Sequence, residues 1–225
     1  MLARHPGGAN PGFTFHSSRA VLHRVDAESR RKMVGEGDRC TRELADARVD
    51  AIAYACLIAI MAEGNGAHEA AEQRLTATLA SVGSSAPVTS SAGALVRTLQ
   101  RLEARRVAMV APYVKPLIQV VVDYLASYGI EVVSSVSLEV DDDVEVGRLG
   151  PALLAGYAAR LDLSEADAVV LSACVQMPSL SAIEDVQQTL GRPVISAATA
   201  TACEVLTLLG ESPYLPGAGA ALAPV

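Results

Sequence analysis

The sequence of 225 residues predicts an α/β protein of two similar lobes, each with a parallel sheet flanked by helices. Short apolar segments alternate with segments of helical periodicity, which is typical of βαβ units. Two strand-like segments recur in the same order: "RVDAIAYAC" (48–56) matches "EADAVVLSAC" (165–174), and "APVTSSAGALVRTL" (86–99) matches "RPVISAATATACEVL" (192–206). We therefore expect a pseudo-symmetric pair, an N-terminal lobe over 1–103 and a C-terminal lobe over 104–225.

The C-terminal lobe opens with a predicted βαβ unit. "RRVAMVAPY" (105–113) is typical of a strand. Apolar residues then recur at helical spacing: Leu117, Val120, Val121, Tyr124, Leu125 and Tyr128. Gly129 suits the C-terminal cap of this helix, and "IEVVSSVSLEV" (130–140) is the next predicted strand.

The rest of the C-terminal lobe brings its prediction to four strands and four helices. We expect one helix over 143–161 and a strand in "ADAVVLSAC" (166–174). Ser181 and Glu184 have the spacing of a capping box that opens another helix, and "GRPVISA" (191–197) is a further strand.

The N-terminal lobe has a shorter set of elements. "FTFHSSRAVLHRV" (13–25) is interpreted as the counterpart of the strand in "IEVVSSVSLEV". Before Phe13 there is no counterpart of the strand and helix over 105–129. We therefore expect the N-terminal lobe to lack its first strand and helix.

Composition and charge argue against several classes of protein. The net charge is -7 and the basic residues form no stripe, so nucleic-acid binding is not expected. The longest uncharged apolar run, 51–62, is too short to span a bilayer, and we expect no membrane association. No signal peptide is recognisable, and the 4 cysteines form no disulfide framework, so we expect free thiols in the cytoplasm.

Metal and nucleotide cofactors are not expected either. The 4 histidines lack metal-ligand spacing with one another or with the cysteines. "GEGDRC" and "GNGAHE" contain glycines but match no phosphate-binding or dinucleotide pattern.

Cys56 and Cys174 end equivalent predicted strands, and ligands of open parallel sheets bind at such ends. If the lobes face each other, both thiols enter one cleft and can act on opposite sides of a planar carbon. A helix that begins behind each thiol would favour its ionised form. Free cysteine often only packs, but equivalent positions in two lobes favour a shared site. Cys40 and Cys203 lie in predicted helices and are interpreted as packing residues.

Small hydroxyl residues begin the helices that follow two predicted strands. Ser90 and Ser91 in the first lobe correspond to Ser196 and Thr199 in the second. They are candidates either for lining the cleft or for capping their helices.

Five segments together resemble the maleate cis-trans isomerase family of the Asp/Glu racemase superfamily: "AYACLIAIM", "SSAGAL", "APYVKP", "LSACVQMPSLSAIEDV" and "GRPVISAATAT". The resemblance covers nearly the whole chain from Phe13. It implies two similar α/β lobes, an active site in the cleft between them, catalysis without a cofactor, and maleate as substrate. We expect a homodimer.

The resemblance also implies roles for individual residues. Cys56 would add as a thiolate to an alkene carbon of maleate, and Cys174 would assist proton transfer or elimination from the opposite side. Tyr113 would donate a hydrogen bond to a substrate carboxylate. Backbone amides near these cysteines would stabilise the enediolate: Leu57, Ile58, Val175 and Gln176.

Two departures from the family pattern bear on activity. The family's N-terminal Ser-Ser-Asn-type loop has no match here, and Asp143 stands where the family has a substrate-binding asparagine. A carboxylate at that position would repel a dianion, although 141–143 also suits a solvated turn or helix cap. In the superfamily the first strand of a lobe lies inside its sheet, so we expect this chain to fold poorly or to be inactive unless upstream residues are restored. The alternatives are a racemase or decarboxylase of the superfamily, or an inactive dicarboxylate-binding protein.

Overall fold

The computed structural model describes residues 12–21 and 26–224, and their strands form two parallel sheets. The elements are α1 (Ala27–Gly35), α2 (Gly37–Asp46), β1 (Ile52–Tyr54), α3 (Leu57–Met61), α4 (Ala67–Ser81), β2 (Val88–Ser90), α5 (Ser91–Arg101), β3 (Arg106–Ala111), α6 (Lys115–Ala126), β4 (Glu131–Ser137), α7 (Asp143–Arg148), a 3-10 turn (Pro151–Leu153), α8 (Leu154–Ala158), β5 (Ala168–Ser172), α9 (Leu180–Leu190), β6 (Val194–Ser196), α10 (Ala197–Leu208) and a 3-10 turn (Ala220–Leu222). In these ranges, no helix combines the length and apolar character needed to cross a membrane.

The sheet of the C-terminal lobe has the order β4-β3-β5-β6, and every neighbouring pair is parallel. All four predicted strands of this lobe are confirmed. The first of them, β3, lies between β4 and β5, and its residues from Val107 to Ala111 are fully buried. Such burial on both faces explains why β3 and β5 are nearly continuous apolar runs.

The sheet of the N-terminal lobe contains β1 and β2 within the described residues. They pair in parallel, with Ile52 opposite Val88 and Tyr54 opposite Ser90. This pair repeats the β5-β6 pair of the other lobe, as the repeated segments predict. The lobe boundary between residues 103 and 104 remains a prediction.

The predicted strand over 13–25 is not formed where the structure describes it. Residues 13–21 have no strand hydrogen bonding, and 22–25 lie outside the described residues. The equivalent strand β4 is held by β3, whereas no described strand lies beside β1 in the position equivalent to β3. The segment therefore lacks the neighbour with which a strand would pair.

Two helix predictions in the C-terminal lobe need correction. The single helix expected over 143–161 is broken, because Gly150 precedes Pro151 and takes an extended conformation. The predicted capping box of Ser181 and Glu184 is also wrong: α9 begins at Leu180, after Ser179. By contrast, Gly129 lies just after α6 in the left-handed conformation, as expected for its cap.

The lobes meet along α5 and α10, where a partly buried ion network joins them. The Arg97 Nε donates to Glu204 Oε1 of α10 at 2.7 Å, and its Nη1 lies 3.2 Å from Glu72 Oε2 of α4. Thr89 Oγ1 accepts from Arg97 Nη2 at 2.9 Å. One guanidinium thus links β2, α4, α5 and α10.

A second polar contact joins α4 of the N-terminal lobe to α6 of the C-terminal lobe. The imidazole of His68 is buried, and its Nδ1 lies 2.9 Å from the hydroxyl of Tyr124. The hydroxyl of Tyr128 donates to Glu69 Oε2 at 2.7 Å. His68 and Tyr124 thus satisfy each other's buried polar groups, while Glu69 remains partly exposed.

Candidate active site

A cavity of about 610 Å³ opens between the lobes, and we call it the inter-lobe cavity. It brings together seven of the eight residues predicted for the site: Cys56, Leu57, Ile58, Tyr113, Cys174, Val175 and Gln176. The two cysteines come from β1-α3 and from the loop after β5, so each lobe contributes one thiol. The volume lies in the range usual for small-molecule sites.

Cys56 occupies the junction of β1 and the short helix α3. It is the N-terminal cap residue of α3, with extended backbone angles, and its side chain is half-buried. The backbone N–H groups of Leu57 and Ile58 lie in the first turn, where no carbonyl within the helix can accept from them. The thiol therefore stands beside backbone donors that suit a negatively charged group.

Cys174 is held differently, in a loop rather than at the start of a helix. The helix expected behind it begins only at Leu180, because the intervening residues 175–179 form a non-helical loop. Ser172 fixes this loop: its Oγ donates to the carbonyl of Cys174 at 2.7 Å and accepts from the N–H of Cys174 at 3.3 Å. Sequence reasoning missed Ser172, although a serine two residues before the cysteine is a known signal for such a turn.

Tyr113 lies next to the loop of Cys174. Its side chain is 4% exposed, and its hydroxyl donates to the carbonyl of Ala173 at 3.1 Å. The hydroxyl is therefore bonded within the protein rather than to bulk water. Tyr113 thus lines the cavity and bonds the residue that precedes Cys174.

Asp143, the eighth predicted residue, begins α7, and its side chain lies outside the described part of the structure. The neighbouring Asp142 caps this helix, because its carboxylate accepts from the N–H groups of Val144 and Glu145. Helix capping, one of the two interpretations of the acidic run, is thus confirmed for Asp142.

The four hydroxyl residues at the helix starts do not line the cavity among the described residues. Ser90 Oγ accepts from the N–H of Gly93 and caps α5, while Ser91 Oγ donates to the carbonyl of Tyr54. Ser196 and Thr199 form a capping box at α10. Of the two alternatives, capping is the one that the structure supports.

The other two cysteines have different surroundings. Cys40, expected only to pack, lies on α2 at the wall of the inter-lobe cavity and is partly exposed. Cys203 is fully buried, and its sulfur lies 3.0 Å from Nη1 of Arg101. The packing interpretation therefore fits Cys203, but it did not predict that Cys40 lies at the wall of the inter-lobe cavity.

The charge of the cavity wall suits an anion. Arg19 and His16 both line it, and among its described residues there is no aspartate or glutamate. Sequence reasoning missed these two residues because it assigned 13–25 to a strand. A dicarboxylate would meet the guanidinium of Arg19, the imidazole of His16 and backbone donors here, without opposing carboxylates among the described lining.

Tyr54 adds an unusual polar group to the same wall. Its hydroxyl is buried, and no described residue forms a hydrogen bond with it. Burial raises the pKa of Tyr54 above its usual value, with Cys56 acting in the same direction, so the group stays a neutral donor. Elsewhere in the described ranges, no three His, Cys, Asp or Glu side chains are grouped as a metal site.

The fold and the paired cysteines define a two-lobed α/β protein of the Asp/Glu racemase-like class. The family model described as arylmalonate decarboxylase matches residues 6–222, and the chain belongs to that family and, within it, to the maleate isomerases. Maleate isomerase of Geobacillus stearothermophilus is 53% identical over 210 residues, which are 93% of this chain and 84% of the relative.

Two solved structures have nearly the same fold. One is maleate isomerase Iso of Pseudomonas putida, a cysteine-to-alanine variant with maleate: TM-score 0.95, 43% identity, 99% of this chain and 89% of that chain covered. The other is the maleate cis-trans isomerase of Nocardia farcinica, a cysteine-to-serine variant with a covalently bound succinylcysteine intermediate. Its TM-score is 0.94 and its identity 45%, with 98% of this chain and 89% of that chain covered.

Proposed function

We propose that this chain is a maleate cis-trans isomerase that uses Cys56 as its nucleophile and Cys174 as its partner. The observation that carries the proposal is the shared cavity, into which each lobe brings one cysteine. The covalent succinylcysteine of the Nocardia farcinica enzyme supports a cysteine adduct as the intermediate.

The reaction begins when the Cys56 thiolate forms a C–S bond to one alkene carbon of maleate. The electron pair of the double bond moves to the neighbouring carbon and is delocalised into its carboxylate as an enediolate. Cys174 donates a proton to that carbon, which gives a succinyl adduct, and later removes it again. The former double bond is now a carbon–carbon single bond, and the adduct rotates about it. Cleavage of the C–S bond then restores the alkene as fumarate and returns the thiolate.

The developing charge needs donors on both sides of the substrate. The N–H groups of Leu57 and Ile58 serve the carboxylate near Cys56, and those of Val175 and Gln176 serve the one near Cys174. Tyr113 transfers its hydrogen bond from the carbonyl of Ala173 to a substrate carboxylate.

We propose that the carboxylate of Asp143 disfavours binding of the substrate. The family has an asparagine there, and a carboxylate is expected to weaken binding of a dianion. The carboxylate should therefore raise KM and leave the rate of the cysteine chemistry unchanged.

We also propose that the protein is a cytoplasmic homodimer. No disulfide joins its cysteines in the described part of the chain, as expected in a reducing compartment. Light scattering coupled to gel filtration tests the dimer through the measured mass.

The direct test is a proton NMR time course of maleate with purified protein. The identity to curated maleate isomerases favours activity over the inactivity expected from the shortened N-terminal lobe. Fumarate should therefore form with the wild type and with Cys40→Ser, a control that alters a thiol of the same cavity, but not with Cys56→Ala. Full activity of Cys56→Ala would exclude the mechanism. Maleate that binds without turnover would favour the dicarboxylate-binding alternative, and loss of optical activity of aspartate or release of CO2 from an arylmalonate would favour a racemase or a decarboxylase.

A further inference from the structure

Ser172 is the last residue of β5, and its side chain is fully buried. Its hydroxyl forms two hydrogen bonds with Cys174: it donates to the carbonyl at 2.7 Å and accepts from the N–H at 3.3 Å. The residue between them is held as well, because the hydroxyl of Tyr113 donates to the carbonyl of Ala173 at 3.1 Å. Hydroxyl groups thus fix the direction of two successive carbonyls next to the thiol.

The N-terminal lobe has a different arrangement at the equivalent position. There Tyr54 stands two residues before Cys56, where the C-terminal lobe has Ser172. The helix α3 begins directly after Cys56, so the helix itself directs the N–H groups that follow this thiol. Behind Cys174 the chain is not helical until Leu180. The C-terminal lobe must therefore fix its backbone donors in another way.

The bond from Ser172 to the carbonyl of Cys174 orients the N–H of Val175. This carbonyl and this N–H belong to one peptide unit, and in a trans peptide they point in opposite directions. Since the carbonyl is directed at a buried hydroxyl, the N–H is directed away from it. Val175 lines the inter-lobe cavity, and no backbone carbonyl of the described residues accepts from its N–H. The N–H is therefore a donor for an anion in the cavity.

The same bond strengthens this donor. A hydrogen bond to a carbonyl polarises the peptide unit, so that the N–H on its other side becomes a better donor. The distance of 2.7 Å is the usual one for a bond between a hydroxyl and an oxygen acceptor. The N–H of Cys174 is the opposite case, because it already donates to Ser172. The loop therefore presents the N–H of Val175 rather than that of Cys174.

We propose that Ser172 is a positioning residue, whose hydroxyl directs the N–H of Val175 at the substrate carboxylate on which the enediolate forms. Negative charge grows on that carboxylate during the reaction, so a fixed donor lowers the barrier more than it tightens substrate binding. The role in turnover rests on the proposed function, whereas the direction of the N–H does not.

Steady-state kinetics with maleate test the role in turnover. Ser172→Ala removes both bonds and should lower kcat by about tenfold or more, with a smaller change in KM. Ser172→Thr keeps the hydroxyl and should retain kcat within about threefold of the wild type. Ser196→Ala is the matched control, because Ser196 is a fully buried serine at the end of the neighbouring strand β6 and does not line the cavity. It should leave kcat and KM unchanged, with each rate expressed per folded molecule.

The comparison of these variants separates positioning from folding. A purely structural role would reduce the fraction of folded protein and leave kcat per folded molecule unchanged. A kcat of Ser172→Ala close to that of the wild type would therefore overturn the proposal. Equal losses of kcat in Ser172→Ala and Ser196→Ala, or in Ser172→Ala and Ser172→Thr, would also overturn it.

A second measurement uses the wild type and does not depend on how the variants fold. Succinate is the probe, because it has two carboxylates but no alkene to which a thiol can add. In a nitrogen–proton correlation spectrum, succinate should move the amide proton of Val175 downfield and move that of Cys174 less. A titration in which the Val175 amide does not move, or moves less than the Cys174 amide, would contradict the assigned direction.

The two measurements together separate this inference from the proposed function. A shift of the Val175 amide with succinate, in a protein that never forms fumarate, would retain the donor and count against the proposed function. Fumarate formation with an unchanged kcat in Ser172→Ala would retain the isomerase and remove the role of Ser172.

Discussion

At the scale of single residues, Tyr113 combines two tasks in one hydroxyl. It holds the carbonyl of Ala173 next to the Cys174 loop, and it is the proposed donor to a substrate carboxylate. We predict that Tyr113→Phe lowers kcat/KM by about 10- to 100-fold, equivalent to one lost charge-assisted hydrogen bond. Tyr214→Phe, on an exposed tyrosine, is the control and should leave steady-state kinetics unchanged. Equal kinetics for the two variants would remove Tyr113 from the site.

We predict that His68 makes the free energy of unfolding depend on pH. Burial lowers the pKa of this imidazole below its ordinary 6.5, although the carboxylates of Glu69 and Glu72 oppose the shift and Arg97 adds to it. The unfolded chain therefore binds the proton first as the pH falls, and the free energy of unfolding decreases below about pH 6.5, with a slope of at most about 1.4 kcal/mol per unit.

Urea unfolding at pH 7 and pH 5 measures this effect. The loss of stability between the two should be smaller in His68→Gln than in the wild type. His16→Gln, which alters an exposed histidine, should retain the full loss. An unchanged pH dependence in His68→Gln would mean that other groups cause it.

At the scale of elements, Ser90 joins β2 to α5. Its Oγ accepts from the N–H of Gly93, and it donates to Glu72 Oε1 at 2.6 Å. We predict that Ser90→Ala lowers the free energy of unfolding by about 2 kcal/mol, since a cap and a bond to a charged group are both lost.

Ser196→Ala is the matched comparison at the equivalent junction of β6 and α10. There the hydroxyl bonds only with Thr199 in the described contacts, so we expect a loss of about 1 kcal/mol. Chemical denaturation of both variants gives the two values. A larger loss for Ser196→Ala would contradict the role assigned to Glu72.

Strands β3 and β5 of the C-terminal lobe could be predicted because each is an apolar run bounded by turn residues. The break at Gly150 and Pro151 was not predicted, because the helical periodicity over 143–161 continues across it. The strand prediction for 13–21 was wrong for another reason. Strand formation depends on a neighbouring strand, and the sequence pattern of a segment does not reveal whether that neighbour is present.

At the scale of the whole molecule, the guanidinium of Arg97 connects the lobes through Glu204 and Glu72. We predict that Arg97→Met lowers the free energy of unfolding by about 2 kcal/mol, because both carboxylates are partly buried and lose their partner. Arg39→Met removes exposed ion pairs along α2 and a hydrogen bond to the carbonyl of Arg19, and it should cost much less than Arg97→Met. Thermal and urea unfolding compare the two, and equal losses would show that the network does not stabilise the lobe contact.

The repeat within the sequence predicted that Cys56 and Cys174 would share one cleft, because equivalent strand ends of two facing lobes meet there. The remaining wall was not predictable in this way. Arg19 and Cys40 come from an irregular segment and from a helix with no counterpart in the repeat, so only the folded chain brings them to the cavity.

The central claim is that Cys56 attacks the substrate while Cys174 handles the proton. Cys174→Ser should therefore accumulate an adduct when it is mixed with maleate, and peptide mass spectrometry should find Cys56 heavier by one maleic acid. Cys56→Ser should show no adduct under the same conditions. An adduct on Cys174 in Cys56→Ser, with Cys56 unmodified in Cys174→Ser, would reverse the two roles and contradict the account.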